Sequence, residues 1–168
     1  MNDTRLGTLH TEDGCAVLRF ERRFAHPLEK VWAAVTEPEQ MKMWFPSGVE
    51  VDLRPGGVMR FIDAGEDGAT FEGAITALDP PRLIAYTWGE DALRFELHTD
   101  GAGCLLVFTH SFDDGAKAAR DGAGWHTCLD MLEATLNGES REWSRERWDE
   151  VHKEYVASFP AEFSTRGP

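Results

Sequence analysis

Hydrophobic and polar residues alternate in the first clearly patterned part of the chain, CAVLRFERRF at 15–24. A period of two is typical of a β-strand with one buried face, so we predict a strand here. The next segment, HPLEKVWAAV at 26–35, instead places apolar residues three or four positions apart, which predicts a short helix with one apolar face. TEPEQMKMWF at 36–45 begins with Thr36 and Glu39 at capping-box spacing and a Pro near its start, which predicts a second short helix that ends near Trp44 and Phe45.

Between residues 48 and 112, short apolar runs alternate with the turn sequences RPGG, GEDG, DPP, GED and DGAG. The runs are, in order, GVEVDL, VMRFID, GATFEGAITALD, RLIAYTW, LRFELHT and CLLVFTHSF. No helical pattern separates them, so we predict six strands in an antiparallel meander. Gly73, inside the third run, is expected to mark a bulge or bend where the sheet curls.

The pattern becomes helical again after the last run. Apolar residues in GWHTCLDMLEATLNG recur three or four apart, and Gly138 is placed to end a helix. We therefore predict a long helix over 116–137. The tail repeats the helical spacing with Trp148, Val151, Tyr155 and Phe159. This predicts a last amphipathic helix that ends before Pro160.

These elements predict an α+β fold in which a seven-stranded, curved antiparallel sheet wraps on a long C-terminal helix, with two short helices after the first strand. The apolar face of such a sheet must be covered, and the helix at 116–137 is the element long and apolar enough to do so. We expect a polar N-terminal segment at 1–14, the folded domain at 15–138, and a helical extension of that domain at 139–168.

Charge and composition limit the classes of partner that we expect the protein to bind. The 168 residues suit one domain, and 17 Lys and Arg against 30 Asp and Glu give a formal net charge of -13. Such a surface repels phosphate backbones and anionic lipids, so we expect no nucleic-acid partner. No apolar run approaches the roughly 20 residues of a transmembrane helix, so we expect no membrane insertion. The polar N-terminus does not resemble a signal peptide.

The sequence contains no pattern typical of a metal, cofactor or nucleophilic site. Cys15, Cys104 and Cys128 are odd in number and far apart, which favours a reducing, cytoplasmic location over a disulfide framework. None of the six histidines has metal-ligand spacing, so we expect neither a metal site nor a cofactor. There is no G-x-S-x-G elbow, Cys-His signature or phosphate loop, and we assign no catalytic residue.

The chain resembles the SRPBCC or START-like superfamily, and within it the bacterial proteins called activator of heat-shock protein 90 ATPase homologues. The resemblance covers about 15–138, in RRFAHPLEKVWAAVTEPEQMKMWF, RPGGVMRF, FEGAITALDPPRLIAYTW, LLVFTHSF and GWHTCLDMLEATL. It implies a helix-grip fold, in which a cavity commonly remains between sheet and helix. It does not fix the function, because the superfamily includes lipid carriers, polyketide aromatase/cyclases and a co-chaperone domain.

The inner faces of the predicted strands and of the long helix supply candidate ligand-binding residues. For each residue alone, packing in a core is the simpler interpretation. The alternative is that a subset lines a hollow under the helix. The candidate cavity-lining residues are Trp44, Met59, Phe61, Phe71, Ile75, Tyr86, Trp88, Phe95, Phe108, His110, Trp125, Cys128, Leu129 and Leu132.

His110 is the polar member of that set. A buried imidazole needs a hydrogen-bond partner, which could be Tyr86 or the backbone in a purely structural role. Ligand recognition and acid–base catalysis are the two alternatives. Most Asp and Glu residues fall in turns such as GED at 89–91 or on outward helix faces, where we expect solvation rather than chemistry.

The stretch GWHTCLDMLEATL at 124–136 contains a His, a Cys and an Asp within five positions. On a helix, His126 and Asp130 are neighbours one turn apart, while Cys128 lies on a different face. We therefore predict that His126, Asp130 and Glu133 form an outward polar stripe. The opposite face, with Trp125, Cys128 and Leu129, is predicted to contact the sheet.

Three functions are compatible with these patterns and with the resemblance. The first is binding of a small, largely hydrophobic molecule in a cavity between sheet and helix. The second is a polyketide cyclase/aromatase-like or hydrolase-like enzyme that uses the same cavity. The third is a protein-interaction or stress-related co-chaperone-like module. The aromatic stripe of the tail permits either a monomer, if it packs on its own domain, or a homodimer.

Overall fold

A computed structural model describes residues 5–64 and 68–166 of the protein. Its strands are β1 (Thr8–Glu12), β2 (Cys15–Phe24), β3 (Gly48–Val51), β4 (Val58–Ile62), β5 (Phe71–Asp79), β6 (Leu83–Trp88), β7 (Asp91–Asp100) and β8 (Gly103–Phe112). Its helices are α1 (Leu28–Thr36), α2 (Pro38–Met41), α3 (Ala118–Leu136) and α4 (Arg145–Ser158). The predicted α+β fold is confirmed, with the long helix following an antiparallel sheet.

The sheet has eight strands in the order β1-β2-β8-β7-β6-β5-β4-β3, and every neighbouring pair is antiparallel. The predicted count of seven strands was therefore one too low. The additional strand is β1, in the segment at 1–14 that we expected to be only polar. Asp13 and Gly14, with φ of 51° and 82°, form a tight Asp-Gly turn into β2. Four of the five β1 residues are exposed at the sheet edge, so no apolar alternation marks the strand.

The sheet bends where β5 meets β6. The pairing register shifts between Ile75 and Ala77. Gly73 lies two residues earlier, and a Cβ placed on it would lie 2.1 Å from the carbonyl oxygen of Thr87 on β6. The two backbones thus approach each other more closely than a side chain would allow. This local approach favours the curvature with which the sheet surrounds α3.

Helix α3 packs on the concave face of the sheet through a core rich in aromatic rings. The ring of Phe108 lies 4.6 Å from that of Phe95 and 4.7 Å from that of Trp125, measured between centroids. Gly138, with φ of 75°, follows α3 as the predicted helix-ending residue. Among the described residues, no helix has both the length and the apolar character needed to cross a membrane.

Helix α4 covers the outer face of α3. Trp148, Val151 and Tyr155 are buried against the chain's own core, so the predicted aromatic stripe packs within the molecule. The Tyr155 hydroxyl lies 2.9 Å from Nδ1 of His126 and accepts a hydrogen bond from the backbone N–H of Gly7. The start of the described chain and the tail helix therefore meet on α3.

This cover overturns the prediction of an outward polar stripe on α3. His126 and Asp130 are 0% and 5% exposed, and only Glu133 of the three keeps substantial contact with solvent. The helical spacing of the stripe was predicted correctly, but the side that it faces was not. A second layer formed by α4 and the N-terminal segment lies over it, and α3 is consequently buried on both sides.

Candidate functional site

A cleft of about 590 Å³ opens between the N-terminal half of α3 and the ends of β6 and β8. This volume is within the usual range for small-molecule sites. We call it the tryptophan cleft, because four tryptophans contribute to its wall. Its residues come from the loop after α2, from the two strand ends, from α3 and from the α3–α4 connection: Trp44, Phe45, Pro46, Trp88, His110, Arg120, Asp121, Gly124, Trp125, Cys128, Met131 and Trp143.

Five of the fourteen predicted cavity residues lie in the wall of the tryptophan cleft: Trp44, Trp88, His110, Trp125 and Cys128. The other nine belong to the packed core or border it: Met59, Phe61, Phe71, Ile75, Tyr86, Phe95, Phe108, Leu129 and Leu132. The space deep under α3 is thus occupied by side chains, and the open volume lies at its mouth.

Aromatic rings hold one another in place along the wall. The Phe45 ring lies 5.4 Å from that of Trp88 and 5.8 Å from that of Trp125, and the two indoles are 6.3 Å apart. Trp44 anchors the loop that supplies Phe45, since its Nε1 donates a 2.8 Å hydrogen bond to the carbonyl of Ala34 on α1. Rings packed in tilted and edge-to-face arrangements of this kind form a rigid apolar surface.

His110 lies at the polar end of the tryptophan cleft. Its Nδ1 accepts a 2.9 Å hydrogen bond from Nε1 of Trp125, because an indole nitrogen can only donate. The ring proton is therefore on Nε2, which donates to Oδ2 of Asp91 at 2.8 Å. The expected partner was Tyr86 or the backbone. The structure instead pairs His110 with Asp91 and Trp125, and the hydroxyl of Tyr86 has no partner among the described residues.

Asp91 differs from the prediction that the GED acids are solvated turn residues. It begins β7 two residues before Leu93, which pairs with His110 on β8, so its side chain lies on the same face of the sheet as the imidazole. Burial would raise the pKa of the Asp91 carboxyl, but its hydrogen bonds with His110 and Lys117 lower that pKa below its ordinary value. Asp91 is consequently an anion at neutral pH.

Lys117 connects the two carboxylates at this end. Its Nζ lies 2.6 Å from Oδ2 of Asp91 and 3.6 Å from Oδ2 of Asp121. One potential metal-ligand atom from each of Asp91, His110 and Asp121 lies within 4.8 Å of the other two, a spacing that could hold a metal ion. The ammonium group of Lys117 already supplies the positive charge there, so we assign this cluster to an ion-pair network.

Sequence reasoning missed seven wall residues: Phe45, Pro46, Arg120, Asp121, Gly124, Met131 and Trp143. Arg120, Asp121 and Gly124 lie on the face of α3 that includes Trp125 and Cys128, so helical spacing could have found them. Trp143 lies in the non-helical connection before α4, where no periodic pattern indicates which way a side chain points. The thiol of Cys128 is no nucleophile, since burial raises its pKa to about 12.

A second polar cluster lies on the opposite side of α3, around Asp130. Its Oδ1 accepts hydrogen bonds of 2.8 Å from both Arg22 and Arg5. Burial would raise the pKa of the Asp130 carboxyl, but the hydrogen bond and charge of Arg22, with the charges of His126 and Arg5, lower it. Arg22 and Asp130 are almost fully buried, and we expect this cluster to hold β2, α3 and the N-terminal segment together.

Replacing Trp125 by Phe should lower the free energy of unfolding by about 1–3 kcal/mol, measured by urea denaturation. The substitution keeps an aromatic ring but removes the only donor to Nδ1 of buried His110 found among the described residues. Trp88→Phe is the matched control, because its indole nitrogen donates no hydrogen bond within the described parts of the chain. Equal losses in the two variants would contradict a structural role for the Trp125–His110 bond.

Comparison with known proteins identifies solved structures with the same architecture. Three solved structures share the fold over nearly the whole chain. EF2215 from Enterococcus faecalis is 23% identical, with 90% of this chain and 89% of that chain covered and a TM-score of 0.74. CalU16 from Micromonospora echinospora is 24% identical, with 91% and 93% covered and a TM-score of 0.71. BPP1335 from Bordetella parapertussis is 25% identical, with 93% of both chains covered and a TM-score of 0.69.

The sequence itself matches no curated protein. It does match one family model, described as Activator of Hsp90 ATPase homolog 1-like protein, over residues 25–137. That match begins just before α1 and ends just after α3, so it includes the loop after α2, the ends of β6 and β8 and the long helix, and of the cleft wall it leaves out only Trp143. The resemblance seen in the sequence is confirmed, and the chain belongs to the Activator of Hsp90 ATPase homolog 1-like family.

Proposed function

We propose that the protein binds a small, largely hydrophobic molecule in the tryptophan cleft. The observation that supports this most directly is the open volume of about 590 Å³ walled by aromatic rings. Such concave apolar sites with a few polar groups at one end are typical of small-molecule binding. The family description refers to activation of Hsp90, whereas the feature that supports our proposal is a cleft of ligand size.

Trp143 provides a second argument. Its side chain is about half exposed, although it is among the largest apolar groups in the chain. It comes from the connection between α3 and α4 and faces the same cleft as Trp88 and Trp125. An exposed indole beside an aromatic wall is the arrangement expected where a ligand supplies the missing contact.

The test uses the neutral dye N-phenyl-1-naphthylamine, whose fluorescence rises in apolar sites. We expect saturable binding at one site, and a loss of about three- to tenfold in affinity for Trp143→Ala, because one aromatic contact is removed. Leu53→Ala is the matched control, since Leu53 is similarly exposed but lies outside the cleft. Failure of the dye to bind, or equal losses in both variants, would contradict the proposal.

Acid–base catalysis in the same cleft is the second candidate. The hydrogen-bonded pair of His110 and Asp91 favours it, because a carboxylate orients an imidazole for proton transfer in many enzymes. It ranks second because both ring nitrogens are already bonded, so a substrate could reach Nδ1 only by displacing the indole of Trp125. The predicted cytoplasmic location and monomeric or homodimeric state remain predictions.

A further inference from the structure

The polar end of the tryptophan cleft has more hydrogen-bond donors to offer a ligand than acceptors. The carboxylates of Asp91 and Asp121 each already have partners: His110 donates a hydrogen bond to the first, which also pairs with Lys117, and Lys117 and Arg120 approach the second. A ligand donor would have to compete with these groups for the same oxygens.

Arg120 differs from its neighbours in this respect. Its Nε donates a 3.0 Å hydrogen bond to Oδ1 of Asp121, one residue along α3. Its two terminal nitrogens have no acceptor among the residues that the structure describes. The side chain is 38% exposed and belongs to the cleft wall. Up to four N–H groups in a planar fork are therefore available to a ligand.

The local charge also differs from that of the whole molecule. Around the polar end, Lys117 and Arg120 balance Asp91 and Asp121, with His110 neutral as its hydrogen bonds require. The chain as a whole has a net charge of -13. An anion is thus repelled by most of the surface but meets the guanidinium of Arg120 here, the group best suited to bind paired oxygens.

We infer that the ligand of the tryptophan cleft is a flat aromatic molecule with an anionic oxygen group, such as a carboxylate, which Arg120 binds. The flat part follows from the rigid indole and phenyl walls formed by Phe45, Trp88 and Trp125. The anionic part follows from the terminal nitrogens that Arg120 presents to the cleft. This inference rests on the proposed function, since it assigns chemistry to the ligand of the same site.

The test compares two dyes that share one ring system. 1-Anilinonaphthalene-8-sulfonate has an anionic group, and N-phenyl-1-naphthylamine is its neutral counterpart. For Arg120→Gln we expect about tenfold weaker binding of the sulfonate, because a charge-assisted hydrogen bond is lost, with unchanged binding of the neutral dye. Arg120→Lys keeps the positive charge but lacks the planar fork of N–H groups. We therefore expect it to bind the sulfonate more weakly than the unaltered protein does and more tightly than Arg120→Gln does.

Arg94→Gln is the matched control. Its Nε also bonds a nearby carboxylate, that of Glu96, and its side chain is similarly exposed, but it lies outside the cleft. It should leave both dyes unaffected. Equal effects of Arg120→Gln on both dyes, or none on the sulfonate, would overturn the inference while leaving the proposed function intact. If neither dye binds the unaltered protein, the proposed function itself fails.

Discussion

Replacing Asp130 by Asn is expected to lower the free energy of unfolding by about 3–5 kcal/mol. The reason is the buried guanidinium of Arg22, whose main anionic partner is the Asp130 carboxylate at 2.8 Å. Asparagine keeps the shape and an acceptor oxygen, but it leaves a positive charge uncompensated in the interior. Arg5 is less affected, because it also contacts Glu133 and is 42% exposed. Urea denaturation at neutral pH measures the difference.

Two further variants make this prediction specific. Asp149→Asn removes the partner of Arg145 in an exposed ion pair on α4, and it should cost less than about 0.5 kcal/mol. The double variant Arg22→Met with Asp130→Leu should recover much of the loss, because apolar residues can replace a buried ion pair. A loss below about 1 kcal/mol for Asp130→Asn would show that the carboxylate does not stabilise Arg22.

The pH dependence of Asp130→Asn follows from the lowered pKa of Asp130. A carboxyl whose pKa is lower in the folded state stabilises the protein fully above its unfolded value of about 3.9. This stabilisation is lost as the pH falls through the lower folded pKa. The stability difference between the unaltered protein and Asp130→Asn should therefore be constant near neutral pH and shrink in acid.

Replacing Phe108 by Ala is expected to cost about 3–5 kcal/mol of stability. Phe108 is fully buried, and its ring contacts those of Phe95, Trp125 and, at 5.9 Å, Phe20. The surrounding rings belong to β2, β7 and α3, so they can relax only partly into the space that the phenyl group leaves. Thermal or urea unfolding monitored by circular dichroism measures the loss.

The control for Phe108→Ala is Trp143→Ala, which should change stability by less than about 0.5 kcal/mol, because half of that side chain is already in solvent. Comparing the stability of these two variants distinguishes the two interpretations that the sequence left open for aromatic residues, which are core packing and ligand contact. A near-neutral Phe108→Ala would indicate that the ring borders open space rather than a packed core.

The fold was largely predictable because its elements have strong periodic patterns. The apolar alternation of β2 and the helical spacing of α3 each depend on one buried face, and that dependence leaves a mark in the sequence. Strand β1 has no buried face and left no such mark. The Asp13-Gly14 turn is typical of a β-hairpin and was the one signal for β1. Using it would have meant treating the polar residues before the turn as a strand.

The candidate site was only partly predictable, for a physical reason. Strand and helix patterns separate inward from outward residues, but they do not separate a packed interior from an open mouth. Phe95 and Trp88 both point inward, yet the first is in the core and the second borders the cleft. The difference depends on where α3 stops covering the sheet. The same limit explains His126, whose exposure was decided by α4, a distant part of the chain.

The tryptophan cleft has a practical consequence for spectroscopy. Four of the six tryptophans of the chain lie in its wall, and Trp32 and Trp148 are the other two. Most of the indole groups of the protein, its main intrinsic fluorophores, therefore lie at one site. Any molecule that enters the cleft changes the surroundings of these indoles, so candidate compounds can be screened with the unlabelled protein by the wavelength and intensity of its own emission.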